Sequence, residues 1–284
     1  MQAFRRRGRF CGAARLAFAL GVWAPSPEAW ASLHSHNDYE QKAPLELALK
    51  NRFESVEADV WLAGDDLQVG HIPFVYKGSL EDLYLYPLLF RVMRNQGSVH
   101  GDRKTFYLWI DFKDSDPAAA ELLRLQLSKF PIFTEFGDGW VKWNAVTVIL
   151  TGNEKLKRRL TEGRGRRFFT RDSELISSLD PSADPESANR WLWYALDWKH
   201  HFSWNGRGAF PTSEQARLRV LLEDAHALGR RVRFYNAPDR RSFWSLARWE
   251  GVDLIGTDRV EELARYWANP SMRWKKPGKS SHIQ

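Results

Sequence analysis

The chain predicts an α/β fold, a single-domain (β/α)8 TIM barrel preceded by a signal peptide. Strand-like and helix-like runs alternate from Leu33 almost to the C-terminus, which implies a parallel sheet covered by helices. The alternating stretch is about 250 residues long, the usual length of one closed barrel. Histidines and carboxylates cluster at the ends of several strand-like runs, where a barrel gathers its loops at one mouth.

The strand-like runs are Leu33–Asn37, Ser55–Trp61, Leu67–His71, Thr105–Phe112, Ala145–Thr151, Arg166–Thr170, Trp191–Trp198, Arg231–Tyr235 and Val252–Gly256. A barrel needs eight strands, so one of these nine is surplus. Leu67–His71 and Trp191–Trp198 are the weakest of them. Helices are predicted at Pro44–Lys50 and Pro117–Lys129, each opening on proline, whose fixed φ suits a first helical turn. Ser213–Leu228 starts with Ser and Glu and is closed by Gly229. Arg240–Trp249 and Val260–Trp267 are the last two helices, and Leu179–Asn189 reads as a surface loop rich in Ser, Pro and Asp.

Residues 1–31 have the layout of a secretory signal peptide. Arg5, Arg6, Arg7 and Arg9 form a basic start, Gly12 to Ala24 an apolar run too short to span a bilayer, and Ala29-Trp30-Ala31 a cleavage site before Ser32. The expected product is therefore exported, periplasmic or secreted. Residues 32–268 form the barrel and 269–284 a polar, basic tail. The only cysteine, Cys11, is lost with the leader, which is compatible with an oxidising compartment. The leader holds five of the 42 Lys and Arg and one of the 35 Asp and Glu, leaving 37 against 34, or +3. That balance is too mild for nucleic-acid binding and does not oppose an anionic substrate. No partner protein is evident.

Glu57 and Asp59 stand two apart on one predicted strand, so both face the same side. Val56, Ala58 and Val60 face the other, towards covering helices. Two carboxylates inside a barrel repel unless something positive lies between them. A hard cation with oxygen ligands is one solution, and a Lys or Arg partner is the other. His36 and His71 end the flanking strands, and His34 has the parity of a residue one layer deeper. Asp111 and Lys113 end the next strong strand. Asp111 could complete an oxygen cage and Lys113 could hold an anionic oxygen, or the two could simply pair. Asp197, Lys199, His200, His201, Asn236, Asp239 and Asp258 also lie near strand ends, with no spacing that assigns a role.

His36-Asn37-Asp38, Pro44-Leu45-Glu46, Glu57-x-Asp59-Val60 and Val69-x-His71 together resemble the phospholipase C-like phosphodiesterase superfamily. That group includes glycerophosphodiester phosphodiesterases and phosphatidylinositol-specific phospholipases C. The opening His34-Ser35-His36-Asn37-Asp38-Tyr39 is most similar to the altered-inheritance-of-mitochondria branch, and Gly251–Asp258 resembles the family's closing strand. The resemblance implies His36 and His71 as the catalytic pair and Asn37, Glu57 and Asp59 as ligands of a divalent cation, Ca²⁺ or Mg²⁺. Asp111 falls where the family usually has Glu, two before a Lys that Lys113 preserves.

The reaction expected is cleavage of a small-molecule or lipid phosphodiester, with His36 as base, His71 as acid and Lys113 on the substrate. Peripheral membrane contact is a further expectation. Trp61, Phe74, Tyr76, Trp198, Phe202 and Trp204 could form an apolar rim, with core packing the alternative role for most. A sphingomyelinase D-like lyase giving a cyclic phosphate is the rival chemistry. A catalytically silent barrel that binds a phosphorylated ligand is the rival class.

Overall fold

The computed structural model describes residues 31–162, 164–174 and 191–269. In chain order the elements are β1 (Ser32–Ser35), α1 (Glu46–Lys50), β2 (Ser55–Ala63), β3 (Asp66–Val69), β4 (Gly78–Ser79), α2 (Tyr86–Arg94), β5 (Phe106–Phe112) and α3 (Pro117–Ser128). There follow β6 (Glu135–Gly137), β7 (Trp140–Lys142), β8 (Val146–Gly152), α4 (Glu154–Glu162), β9 (Phe169–Ser173), β10 (Trp191–Asp197) and α5 (Trp198–His201). The chain ends with α6 (Thr212–Ala227), β11 (Arg231–Tyr235), α7 (Arg241–Glu250), β12 (Leu254–Thr257) and α8 (Val260–Ala268). Residues 1–30 of the expected leader, the expected loop 179–189 and the tail beyond Asn269 lie outside the described residues.

Eight parallel strands close on themselves in the order β1-β2-β5-β8-β9-β10-β11-β12, with β12 returning to β1. The TIM-barrel expectation holds. Trp191–Trp198, one of the two weakest strand assignments, is a barrel strand. The surplus one is Leu67–His71, which pairs antiparallel to β2 as the return arm of a hairpin. Nothing in an apolar run of that length distinguishes a barrel strand from a hairpin arm. Three helices went unread, α2, α4 and the four-residue α5. The α4 sequence, Glu154 to Glu162, is too charged to show an apolar stripe, and α2 follows a π-helical stretch at Glu81–Leu85. The strand expected at Arg166–Thr170 lies a turn later, at Phe169–Ser173.

Strand parity sorts the side chains. Val56, Ala58 and Val60 join the shell between barrel and helices, as the two-residue period requires. Inside the barrel, Tyr107, Trp109, Ile149, Trp193, Ala195 and Leu254 form a separate cluster. Trp109 and Trp193 meet edge to face, their centroids 5.5 Å apart. Arg233 lies 4.1 Å from the Trp109 centroid and Arg231 5.5 Å from that of Trp193. The barrel floor is therefore aromatic and cationic. This is where part of the high Trp content goes. Trp198, Phe202 and Trp204 are buried as well, so core packing is their role.

Candidate active site

The site is built from three strand ends and one hairpin. In parallel register Asp59 sits opposite Asp111, and Glu57 opposite Trp109. All three carboxylates point inward by parity, and one ligand oxygen from each of Glu57, Asp59 and Asp111 lies within 4.8 Å of the others. Gly152, opposite Phe112 on β8 with φ +80°, leaves room for Asp111, because any Cβ there would collide with the Asp111 carboxylate.

His36 follows β1, its backbone N–H donating to Thr257 O at 3.1 Å. Its Nδ1 lies 2.7 Å from Asp258 Oδ1, and its Nε2 faces Glu57 Oε1 at 4.0 Å. His71 arrives by a different route from the one expected. It is not at a barrel strand end. The β2–β3 hairpin overshoots the mouth and folds back, with Gly70 N–H donating to Asp59 O at 3.0 Å. That return carries His71 Nδ1 to 2.9 Å from Asp59 Oδ2. Lys113 Nζ bridges Asp111 Oδ2 at 2.6 Å and Asp59 Oδ2 at 2.9 Å. Asn37 has φ 45°, a left-handed conformation that asparagine tolerates. Its amide joins the cluster through Tyr39, whose hydroxyl lies 3.0 Å from Asn37 Oδ1 and donates to Asp59 Oδ2 at 2.7 Å. The structure thus brings together all seven residues singled out in the sequence.

It also adds three. Arg233 Nη1 donates to Glu57 Oε2 at 2.5 Å, and lies 2.8 Å from His34 Nε2. Tyr39 ties Asn37 to Asp59, and Asp258 backs His36. Tyr39 was visible inside the His-Asn-Asp-Tyr segment. Arg233 shows inward parity with Arg231, but no spacing links either to Glu57. Asp38, although part of the motif, is structural: it accepts from Leu45 N–H at 2.5 Å and from Tyr84 OH at 3.0 Å. His34 is the deeper residue expected, its Nδ1 2.9 Å from Ser55 Oγ.

Electrostatics separates the histidines. Burial pushes His34 down to about 4, so it is neutral near pH 7. Burial would lower His36 too, but the Glu57 and Asp258 carboxylates outweigh it and the net direction is up. Glu57 is held well below the usual carboxylate range: burial opposes its charge, and Arg233, His36 and His34 overcome it. Asp111 is pushed up to about 6 by burial and by Glu57, with Lys113 opposing.

Asp59 keeps one oxygen away from the cations. Asp59 Oδ2 receives Tyr39, His71 and Lys113, whereas Asp59 Oδ1 is buried with no hydrogen-bond partner. A buried, orphaned anionic oxygen on one of three clustered carboxylates is a donor that suits a hard, oxygen-liganded cation.

A family model for the AIM6-like phosphodiesterase domain matches residues 29–170, half of the 284-residue chain. The chain belongs to that family. The matched AIM6-like segment includes every residue of the carboxylate cluster and both flanking histidines. Altered inheritance of mitochondria protein 6 of Lachancea thermotolerans is 28% identical over 276 residues, covering 81% of this chain and 64% of the relative. Its Saccharomyces cerevisiae counterpart is 29% identical over 240 residues, 72% of this chain and 61% of the relative. The chain therefore spans less than two thirds of these curated relatives. A homologue from Arthroderma benhamiae is 25% identical, with 83% of each chain covered. Among solved structures, a glycerophosphodiester phosphodiesterase from Agrobacterium tumefaciens superposes with a TM-score of 0.49 at 16% identity, over 84% of this chain and all of that one.

Proposed function

We propose that the protein is a metal-dependent phosphodiester hydrolase acting on a glycerophosphodiester or phospholipid-like substrate. One observation carries the reading. Two imidazoles, each with Nδ1 against a carboxylate (Asp258 for His36, Asp59 for His71), stand against the same cluster of Glu57, Asp59 and Asp111.

The residues present fit a divalent cation, Ca²⁺ or Mg²⁺. Glu57, Asp59 and Asp111 are the anionic oxygen donors, and Asn37 is a neutral one. The Tyr39 hydroxyl has a single proton. With that hydrogen bond given to Asp59, an Asn37 amide with its oxygen and NH₂ exchanged would donate to the phenol oxygen and turn its carbonyl oxygen towards a ligand. A cation held there would bind a non-bridging phosphate oxygen and offset charge in the transition state.

The remaining chemistry belongs to the chain. Asp258 accepts a hydrogen bond from Nδ1–H of His36, which leaves Nε2 as the atom that accepts a proton from the nucleophile. Asp59 holds His71 in the same way, and the half-exposed ring presents Nε2 to the leaving alcohol as the proton donor. Lys113 spends two of its three N–H groups on Asp111 and Asp59, and the third is available to a phosphate oxygen. Ile72, Phe74 and Val75, exposed directly after His71, would bring that side of the mouth to a lipid surface. Export belongs to the same reading, and a mature N-terminus at Ser32 is the result expected from N-terminal sequencing.

The deciding experiment is hydrolysis of bis-p-nitrophenyl phosphate with and without EDTA. Turnover that EDTA abolishes and Ca²⁺ or Mg²⁺ restores is expected. Turnover indifferent to EDTA would remove the metal from the proposal, and no turnover of it or of a glycerophosphodiester with any divalent cation would remove the enzyme. Cyclic phosphate among the products from the glycerophosphodiester, which carries a hydroxyl beside the ester, would identify a substrate hydroxyl as the nucleophile.

A further inference from the structure

A cleft of about 570 Å³ opens beside His36 at the ends of β10, β11, β12 and β1. His36 and Asp258 both line it, so it is continuous with the proposed site, yet Glu57, Asp59, Asp111 and His71 do not touch it. Its size suits a small alcohol rather than an acyl chain and glycerol together.

The charges lining this cleft do not balance. Asp258 is engaged by His36. Asp239 accepts from Thr257 Oγ1 at 2.6 Å, Trp244 Nε1 at 3.1 Å and the Asp258 N–H at 3.1 Å, with Arg259 at 3.8 Å. Arg233 is engaged by Glu57. Lys199 and Arg240 also line the cleft, and among the described residues neither has a carboxylate within ion-pair distance.

The two cations sit on a built frame. The Arg240 stem lies against Gly206 (φ +85°), where any added Cβ would run into Arg240 Cδ and Pro238 Cβ. Ser242 Oγ donates to Gly206 O at 2.6 Å and holds that turn. Lys199 opens the short α5, its N–H donating to Asp197 Oδ1 at 2.9 Å. The other oxygen of Asp197 receives Asn236 Nδ2 at 3.1 Å, so that carboxylate serves the backbone and the amide. Asn205 and Asn236 bring further amide groups to the lining.

We propose that this cleft receives the alcohol on the His36 side of the phosphodiester, and that Lys199 and Arg240 select an alcohol bearing a second anionic group, a phosphomonoester or carboxylate. The inference rests on the phosphodiesterase reading and deepens it. Two unneutralised cations in a half-enclosed cleft attract such a group and repel a quaternary ammonium. A terminal phosphate also offers the acceptor oxygens that guanidinium and ammonium donors bind most strongly.

The test compares three diesters on the full chain: glycerophosphocholine, glycerophosphoglycerol and the terminal phosphomonoester of glycerophosphoglycerol. Calorimetry in EDTA reads binding without turnover. The phosphomonoester is expected to bind at least about tenfold more tightly than glycerophosphoglycerol, whose second alcohol bears no charge, and the choline diester most weakly. The Lys199→Met/Arg240→Met double variant, checked for an unchanged melting temperature, is expected to erase the difference. With metal, the kcat/KM ratio of the phosphomonoester-bearing diester to glycerophosphoglycerol should fall in the same variant. Equal affinities, a choline preference, no binding of any of the three, or a preference that survives the double substitution would each overturn the inference. Metal-dependent hydrolysis of bis-p-nitrophenyl phosphate without the anionic preference would sink this inference alone. The preference without any hydrolysis would sink the enzyme reading instead.

Discussion

On the β2–β5 side of the mouth each carboxylate of the inward cluster meets a basic group at hydrogen-bond distance: Glu57 meets Arg233, and Asp59 and Asp111 share Lys113. On the β10–β12 side, Lys199 and Arg240 meet no carboxylate among the described residues. The first region is nearly saturated, and the orphaned Asp59 Oδ1 is its conspicuous opening. The second is open, with Lys199 and Arg240 set among aromatic side chains. A site that must hold a cation in fixed geometry is over-determined by its own side chains, because a buried charge without a partner is costly. A site that receives one end of a substrate leaves donors unspent.

Substitution tests that contrast, and the largest effect is expected at the histidines. His36→Ala or His71→Ala should each lower kcat by about 10²–10⁴-fold, the usual worth of a general acid or base. Retention of full activity by either variant on a glycerophosphodiester, whose alkoxide leaving group needs a proton, would remove that residue from the mechanism.

Arg233→Met should cost about 3–5 kcal/mol of stability, because it strands the Glu57 charge inside the barrel. Lys199→Met on the open side should stay within about 0.5 kcal/mol. Urea denaturation of both variants reads the comparison directly, and equal losses would dissolve it.

A third measurement separates the mouth from the rest of the barrel. His226 Nε2 lies 2.8 Å from Asp253 Oδ2, and that bond, despite partial burial, raises the histidine above its ordinary value. A raised folded-state pKa means the stabilisation is complete below about pH 6.5, the unfolded value, and is lost as pH rises through the folded value. The melting-temperature gap between wild type and His226→Ala should therefore be wider at pH 5.5 than at pH 8.5. The reverse order would show that the pair does not stabilise through protonation.

The smallest effect on the fold is expected at the tip of the loop after His71. Phe74 is 90% exposed, so Phe74→Asp should leave the melting temperature within a degree or two. It should nonetheless abolish co-sedimentation with phospholipid vesicles. Unchanged sedimentation would end the proposal of membrane contact on this side.

Much of the β2–β5 region was readable in advance, since strand parity is a local rule. Residues two apart face one way, so Glu57 and Asp59 had to share a side, and the barrel put Asp111 and Lys113 beside them. His71 was placed near the site for an incomplete reason. Its run looked like a barrel strand, whereas the hairpin return is what brings it back to Asp59. The β10–β12 region was not readable in the same way. Lys199, Asn236, Asp239 and Asp258 were visible as strand-end residues, but their convergence depends on loops of unequal length.

The amino-acid order alone settled the alternation of strands and helices, the inward face of each strand, and the chemical kind of each group at the mouth, because these follow from backbone periodicity and side-chain identity within a few residues. Which strand was surplus, which base answers Glu57, and where two cations stand unanswered emerged once the barrel closed. Arg233 lies 176 residues from Glu57, and Asp258 lies 222 from His36. Contacts at such separations are products of packing and closure, which no local pattern encodes.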